Sequence, residues 1–213
     1  MRIQCSAFLK LLAIAGGIQV SGSAQGALAI QTLYGLGAGN LTEYRSTQGV
    51  TERTRLDTDK LTAAVHVDPF KSISVTLGLF YSTFHGESEK EIDAVAGVSG
   101  FDYGWEVLTW TRVGSIGMSL RYGQALGGNY EVTVYEGDNP LVNQSESTFD
   151  YSVGYNYVGL GFALPMTAKL GALLEFRQRI SSQFELAEGS TKNDVLAKDF
   201  DGGMVFLGVE FGL

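Results

Sequence analysis

Along most of the chain apolar residues recur at every second position, the period of a β-strand with one face against a greasy surface. Residues 168–179 set Ala168, Leu170, Ala172, Leu174 and Phe176 against Lys169, Gly171, Leu173, Glu175, Arg177 and Arg179. Residues 204–213 set Val205, Leu207, Val209, Phe211 and Leu213 against Met204, Phe206, Gly208, Glu210 and Gly212. The same rhythm puts Ile73, Val75, Leu77, Leu79 and Tyr81 opposite Ser74, Thr76, Gly78, Phe80 and Ser82. It puts Ile116, Met118, Leu120 and Tyr122 opposite Gly117, Ser119, Arg121 and Gly123. Near the start, Leu28, Ile30, Thr32, Tyr34 and Leu36 alternate with Ala29, Gln31, Leu33, Gly35 and Gly37. Residues 60–67 carry Lys60, Thr62, Ala64 and His66 on one face, and residues 103–113 carry Glu106, Leu108, Trp110 and Arg112. One segment has two competing readings: either Tyr151, Val153, Tyr155 and Tyr157 face outward, or Val158, Leu160 and Phe162 do. A bulge at Gly159 and Gly161 would switch between them.

The segments between these runs alternate in length, long at 40–57, 85–101, 127–148 and 181–199, short at 68–71, 113–115 and 164–167. An even-stranded antiparallel meander with tight turns on one rim and extended loops on the other is the plan of a transmembrane β-barrel. The pattern therefore predicts an all-β fold, an eight-stranded antiparallel up-and-down barrel over residues 27–213. Pro69 and Pro165 fall in short connections and Pro140 in a long one, where a missing N–H costs no ladder bond.

Aromatic placement decides which face looks outward. Tyr34, Tyr81, Tyr103, Trp105, Tyr122 and Phe176 stand at strand ends beside long connections, and Phe70, Phe162 and Phe211 near the other rim. Two such belts suit the interfaces of a bilayer. The apolar stripes then face hydrocarbon, and the lumen receives Glu106, Arg112, Arg121, Lys169, Glu175, Arg177 and Glu210. An eight-stranded barrel has room inside only for side chains, so these charges must pair with one another. Glu106 with Arg121 and Lys169 with Glu210 are the expected pairs.

Composition narrows the partners. The apolar stretch 11–20 behind Arg2 and Lys10, followed by small residues, reads as a secretory signal over residues 1–26, cleaved between 24 and 29. Its removal makes a formal charge of −8 more negative by two. Nucleic acid is excluded as a partner, because no basic stripe gathers the remaining cations. Cys5, the one cysteine, lies in the signal, which leaves the exported chain no thiol for a disulfide, metal site or nucleophile. The glycines at 35, 37 and 39 precede no helix and serve as lumen spacers, so no nucleotide loop and no cofactor is expected.

The signal, the alternating connections and the terminus together resemble the small eight-stranded outer-membrane barrels, the superfamily of outer-membrane proteins A, X and W. The resemblance spans residues 28–213. Its most specific part is Phe206-Leu207-Gly208-Val209-Glu210-Phe211-Gly212-Leu213, similar to the family's assembly signal, with Gly208, Phe211 and Leu213 at its key places. The chain departs from that signal by ending on Leu213 in place of an aromatic. The resemblance implies a bacterial outer-membrane location, with membrane lipids, lipopolysaccharide included, and the barrel-assembly machinery as partners.

The long connections are the expected recognition surface, with an extracellular protein as a further partner. Residues 85–101 include Glu87, Glu89, Glu91 and Asp93. Residues 130–135 continue the strand alternation and are expected to stand up as a ribbon with an exposed edge able to take a strand from another protein. Arg45, Arg53 and Arg55 are candidates for lipid phosphate. Asp138 and Asn139 alone make no metal site. A structural or adhesive role is the leading expectation, followed by a conduit for small apolar molecules, with Leu33, Phe80 and Phe84 as its apolar mouth. A lipid-modifying enzyme built on His85 with Ser82, Glu87 or Ser88 comes third.

Overall fold

The computed structural model describes residues 28–45, 49–68, 75–88, 95–113, 115–136, 145–167, 169–187 and 195–213. Eight antiparallel strands close into a barrel in chain order: β1 Leu28–Arg45, β2 Val50–Val67, β3 Val75–Ser88, β4 Val95–Val113, β5 Ile116–Glu136, β6 Ser145–Pro165, β7 Leu170–Leu186 and β8 Val195–Gly212. The closing contact runs from Ala29↔Gly212 to Arg45↔Val195. The Leu213 N–H also donates to the Leu28 carbonyl at 2.8 Å.

Four of the connections expected to be long loops are largely strand. β5 and β6 each run for 21 residues, about twice the roughly 9–11 that a tilted strand needs to cross a bilayer. Such a barrel is much taller than a membrane is thick. The 130–135 segment does not stand free: β5 pairs with β6 up to Glu136↔Ser145 and with β4 up to Val95↔Val134. Its expected open edge is therefore occupied on both sides.

Polarity inverts along the barrel axis. In the lower half the outer wall is apolar, with Leu79, Leu120 and Leu207 about two-thirds exposed at 66%, 64% and 64%, while Glu106, Arg121, Glu175 and Arg177 are buried inside. In the upper half the outer wall carries Arg53, Arg55, Asp57, Glu131, Asp150, Gln183 and Glu185. The interior there is Leu41, Leu56, Val98, Tyr130, Val132, Val134, Tyr151 and Phe200, packed as one cluster.

Single-residue bulges on β5, β7 and β8 keep the phase right for this inversion on those strands, whereas β1, β2, β3 and β6 keep one parity throughout and the bulge on β4 lies at its upper tip. On β5, Gly104↔Ala125 is followed by Tyr103↔Gly127, which leaves Leu126 unpaired. Arg121, Gly123 and Ala125 point inward below that step, and Tyr130, Val132 and Val134 above it. β7 skips Ile180 between Tyr157↔Arg179 and Asn156↔Ser181, and β8 skips Lys198. Each extra residue re-aims every side chain beyond it, so that β5, β7 and β8 carry an unbroken apolar alternation yet serve two solvents.

β6 itself carries no switch at Gly159 and Gly161. Tyr151, Val153, Tyr155 and Tyr157 point in, and Val158 and Leu160 point out. Residues of opposite parity occupy opposite faces of one regular strand, so the reading with Val158 and Leu160 outward holds and the one with the tyrosines outward does not.

Candidate functional site: a plugged lumen and a split wall

Two ionic layers cross the lumen, one in the lower half and one at its boundary with the upper half. In the first, the Glu106 carboxylate accepts from Arg121 and from the Tyr157 hydroxyl, and it lies 2.5 Å from His66 Nε2. Arg121 Nη2 donates to Gln31 Oε1 at 2.9 Å, and its Nε lies 2.8 Å from Glu175. Arg177 Nε donates to Glu175 Oε1 at 2.8 Å, and its guanidinium lies 4.6 Å from the Phe206 ring centre. Two carboxylates and two guanidinium groups thus close on one another, the condition for holding charge in a dry interior.

In the second layer, Asp102 is fully buried and accepts from Lys60 Nζ at 2.8 and 3.0 Å. The Tyr130 and Tyr155 hydroxyls donate to the same carboxylate at 2.5 and 2.9 Å. Arg179 lies against this layer, 4.0 Å from the Tyr155 ring centre and 4.7 Å from that of Phe200. Rings on several sides give its charge a cation–π environment.

Gly35 and Gly39 are small for a reason of space: a Cβ would meet the Phe206 ring at 2.5 Å and the Phe200 ring at 2.3 Å. The two phenylalanines lie across the β1 wall and fill the lumen. With Phe84 stacked on Tyr130 at 5.2 Å, side chains occupy the interior from the lower ionic layer upward.

Of the charges expected in the lumen, the structure brings together Glu106, Arg121, Glu175 and Arg177. Lys169 does not join them. It is exposed in the turn before β7, because the strand begins one residue later, at Leu170. Glu210 is half-buried and accepts from Gln31 Nε2 at 2.5 Å, so the Lys169–Glu210 pair is replaced by a glutamine contact. The backbone of Arg112 pairs with Gly117, and its side chain lies outside the described residues. Lys60 and Asp102 form an ion pair that sequence reasoning missed: Asp102 sits at the margin of what reads as a loop.

Tyr34, Tyr81, Trp105, Tyr122, Phe176 and Phe211 all lie on the outer face. Trp105 and Tyr122 lie 5.8 Å apart, and the Tyr122 hydroxyl donates to Asn156. Gly208 faces inward, where a Cβ would meet the Thr32 carbonyl at 2.1 Å, so the β1–β8 closure requires glycine there. Phe211 and Leu213 face out at the lower rim. His85 is exposed on the outer wall, 3.1 Å from Glu87, whereas Ser82 is fully buried on the inner face. Strand parity separates the expected base from that serine. The expected signal segment, Glu89, Glu91, Asp93, Asp138 and Asn139 lie outside the described residues.

The wall is not uniform. The β7–β8 ladder ends at Gln178↔Gly203, although β7 continues to Leu186 and β8 starts at Val195. At the foot of this split a cavity of about 510 Å³ opens on the outer wall, lined by Leu120, Val158, Leu160, Phe176, Met204 and Val205 among others.

No protein-family model matches the chain, and no curated protein matches it in sequence. Solved structures do match in shape. The crystal structure of Neisserial surface protein A aligns with a TM-score of 0.50 at 11% identity, over 88% of this chain and 99% of that one. Outer membrane protein AlkL, solved by solid-state NMR in DMPC lipid bilayers, aligns with a TM-score of 0.55 at 12% identity, over 92% of this chain and 93% of that one. The chain has the fold of the small eight-stranded outer-membrane β-barrels. Identity this low speaks for the fold alone, and function has to be argued from the site.

Proposed function

We propose that the protein is a plugged barrel of the bacterial outer membrane that holds a rigid, polar-walled extension at the cell surface, in a structural or surface-recognition role. The inversion of polarity along the axis carries this reading. An apolar wall around an ionic lumen is built for hydrocarbon, and a polar wall around an apolar core is built for water. The lower half meets membrane lipids, and the end Gly208–Leu213 meets the assembly machinery. The upper half offers outward side chains such as Arg53, Glu131 and Asp150 to lipopolysaccharide or to an extracellular protein. The filled lumen argues against an aqueous channel.

Single cysteines at Glu131 and Leu207, probed on intact cells with a membrane-impermeant maleimide, test this reading. Rapid labelling at 131 and none at 207 is expected, together with no steady conductance in planar bilayers. Protection of 131 until the outer membrane is permeabilised would reverse the orientation. His85→Ala is expected to leave lipid A composition unchanged by mass spectrometry, since Glu87 is the one described catalytic candidate that His85 touches.

A second reading, a conduit for small apolar molecules, is favoured by the split above Gln178↔Gly203 and by the apolar cavity at its foot. It requires Phe200 and Arg179 to move from behind the split. Proteoliposomes carrying Phe200→Ala would then take up an apolar dye faster than wild type, whereas equal rates would dismiss the conduit.

A further inference from the structure

We propose that the cavity at the foot of the split seats one acyl chain of an amide-linked, hydroxylated lipid of the outer leaflet, the chemistry of the lipopolysaccharide anchor. This deepens the reading of a lipid-embedded lower wall and rests on it. The cavity has a direction. Its lower rung runs Leu120↔Leu160, Leu160↔Phe176 and Phe176↔Val205, four side chains that all face outward. Its upper rung runs Val158↔Gln178 and Gln178↔Gly203. The outer face of β8 passes from Val205 to Asp201 across that upper rung. The cavity, about 510 Å³ in volume, therefore begins where the wall turns polar and descends into hydrocarbon, the path of a chain hanging from its headgroup. Both rungs are paired, so no strands have to separate for the chain to enter.

Gln178 and Gly203 shape the upper end. A carboxamide on a lipid-facing wall is costly unless its polar atoms are bonded. Gln178 Nε2 donates to the Arg179 carbonyl at 3.1 Å, which leaves Oε1 over Gly203, where a Cβ would stand 2.9 Å from it. Glycine thus gives the carboxamide room to lie along the wall. Among the described residues no donor reaches that Oε1. A polar chain crosses the same wall nearby: the Tyr122 hydroxyl donates to Asn156 Oδ1 at 3.2 Å, and Asn156 Nδ2 donates to Ser181 Oγ at 3.0 Å. Ser181 keeps its own proton to give.

These groups choose the lipid. An unused acceptor at the depth where chains join headgroups needs a donor there. The ester linkages of a glycerophospholipid carry acceptors only, whereas an amide-linked hydroxyacyl chain brings an N–H and an O–H. The Ser181 proton is left for a carbonyl or phosphate oxygen of the same lipid.

The test uses the full-length protein in detergent micelles and native mass spectrometry, with lipid A and a phosphatidylethanolamine of matched chain length offered at equal concentration. One lipid A is expected to stay bound where phosphatidylethanolamine does not. Gln178→Leu removes the acceptor and keeps the wall apolar. It should weaken lipid A retention between about twofold and tenfold, the factor that one hydrogen bond is worth. Val205→Trp fills the cavity and should abolish retention, whereas Leu79→Trp, the same bulk on the β3 wall, should not. A mobility difference between boiled and unboiled samples establishes that each variant is folded. Equal retention of the two lipids would overturn the proposal, as would an unchanged Gln178→Leu or a folded Val205→Trp that still holds lipid A. A dimer broken by Val205→Trp and indifferent to lipid would assign the cavity to a second copy of the chain and overturn it too. None of these outcomes depends on the labelling at position 131, so failure of the lipid seat and failure of the surface-display reading are told apart.

Discussion

Glu106 shows how much one side chain decides inside this barrel. Its carboxylate receives Arg121, Tyr157 and His66 together, all of them buried. Glu106→Ala would leave a guanidinium, a hydroxyl and an imidazole without their shared acceptor. The expected loss is about 3–5 kcal/mol, the cost of breaking one side of a buried pair, read from urea unfolding in lipid vesicles by tryptophan fluorescence. Lys169→Ala gives the contrast. Its side chain is exposed in a turn, so the change should stay within about 0.5 kcal/mol. A large effect at 169 would restore the lumen pairing with Glu210 that the structure replaces by Gln31.

At the scale of the strand, the unpaired residue of a bulge matters more than its own side chain. Leu126 is 63% exposed and makes no rung between Gly104↔Ala125 and Tyr103↔Gly127. Deleting it would rotate Tyr130, Val132 and Val134 from the core to the outside, and burial of each such side chain is worth about 1.5–3 kcal/mol. The deletion should therefore abolish the gel-mobility difference between boiled and unboiled samples, while Leu126→Ala, which keeps the count, should retain it. This also explains what was legible in the sequence. Period-two alternation is local, so strand identity and the lumen places of Glu106, Arg121, Glu175 and Arg177 could be read without knowing any neighbour. A bulge leaves the alternation intact on both sides and changes only its phase. The upper strands therefore read as loops or a free ribbon, and nothing local marks Tyr130 as core. Lys169 failed for a related reason: parity assigns a face only to residues inside a strand, and it sits one place before β7 begins. Asp102 and Lys60 are rungs of non-adjacent strands, on β4 and β2, and no pattern within one segment brings them together.

Across the whole molecule the two halves of the barrel are built for different solvents, and the boundary between them can be located. On β3 the outer face changes from Leu77, Leu79 and Tyr81 to His85 and Glu87. On β8 it changes from Leu207 and Val205 to Asp201 and Asp199. If hydrocarbon ends where the wall turns polar, spin labels at 79 and 207 should be relaxed mainly by dissolved oxygen. Labels at 87, 131 and 199 should be relaxed mainly by a water-soluble nickel chelate. The crossover should fall between 81 and 85 on β3 and between 201 and 205 on β8, which are neighbours in height only if the barrel stands upright with the ionic layers in the membrane. Oxygen-dominated relaxation at 131 would place the full strand length in lipid. The acidic outer residues would then have to be desolvated, at several kcal/mol per charge before any relaxation. That cost is why the inverted wall sets the depth of insertion: sliding the barrel upward exposes Leu79 and Leu207 to water, sliding it downward buries Glu131 and Asp150, and both displacements are opposed.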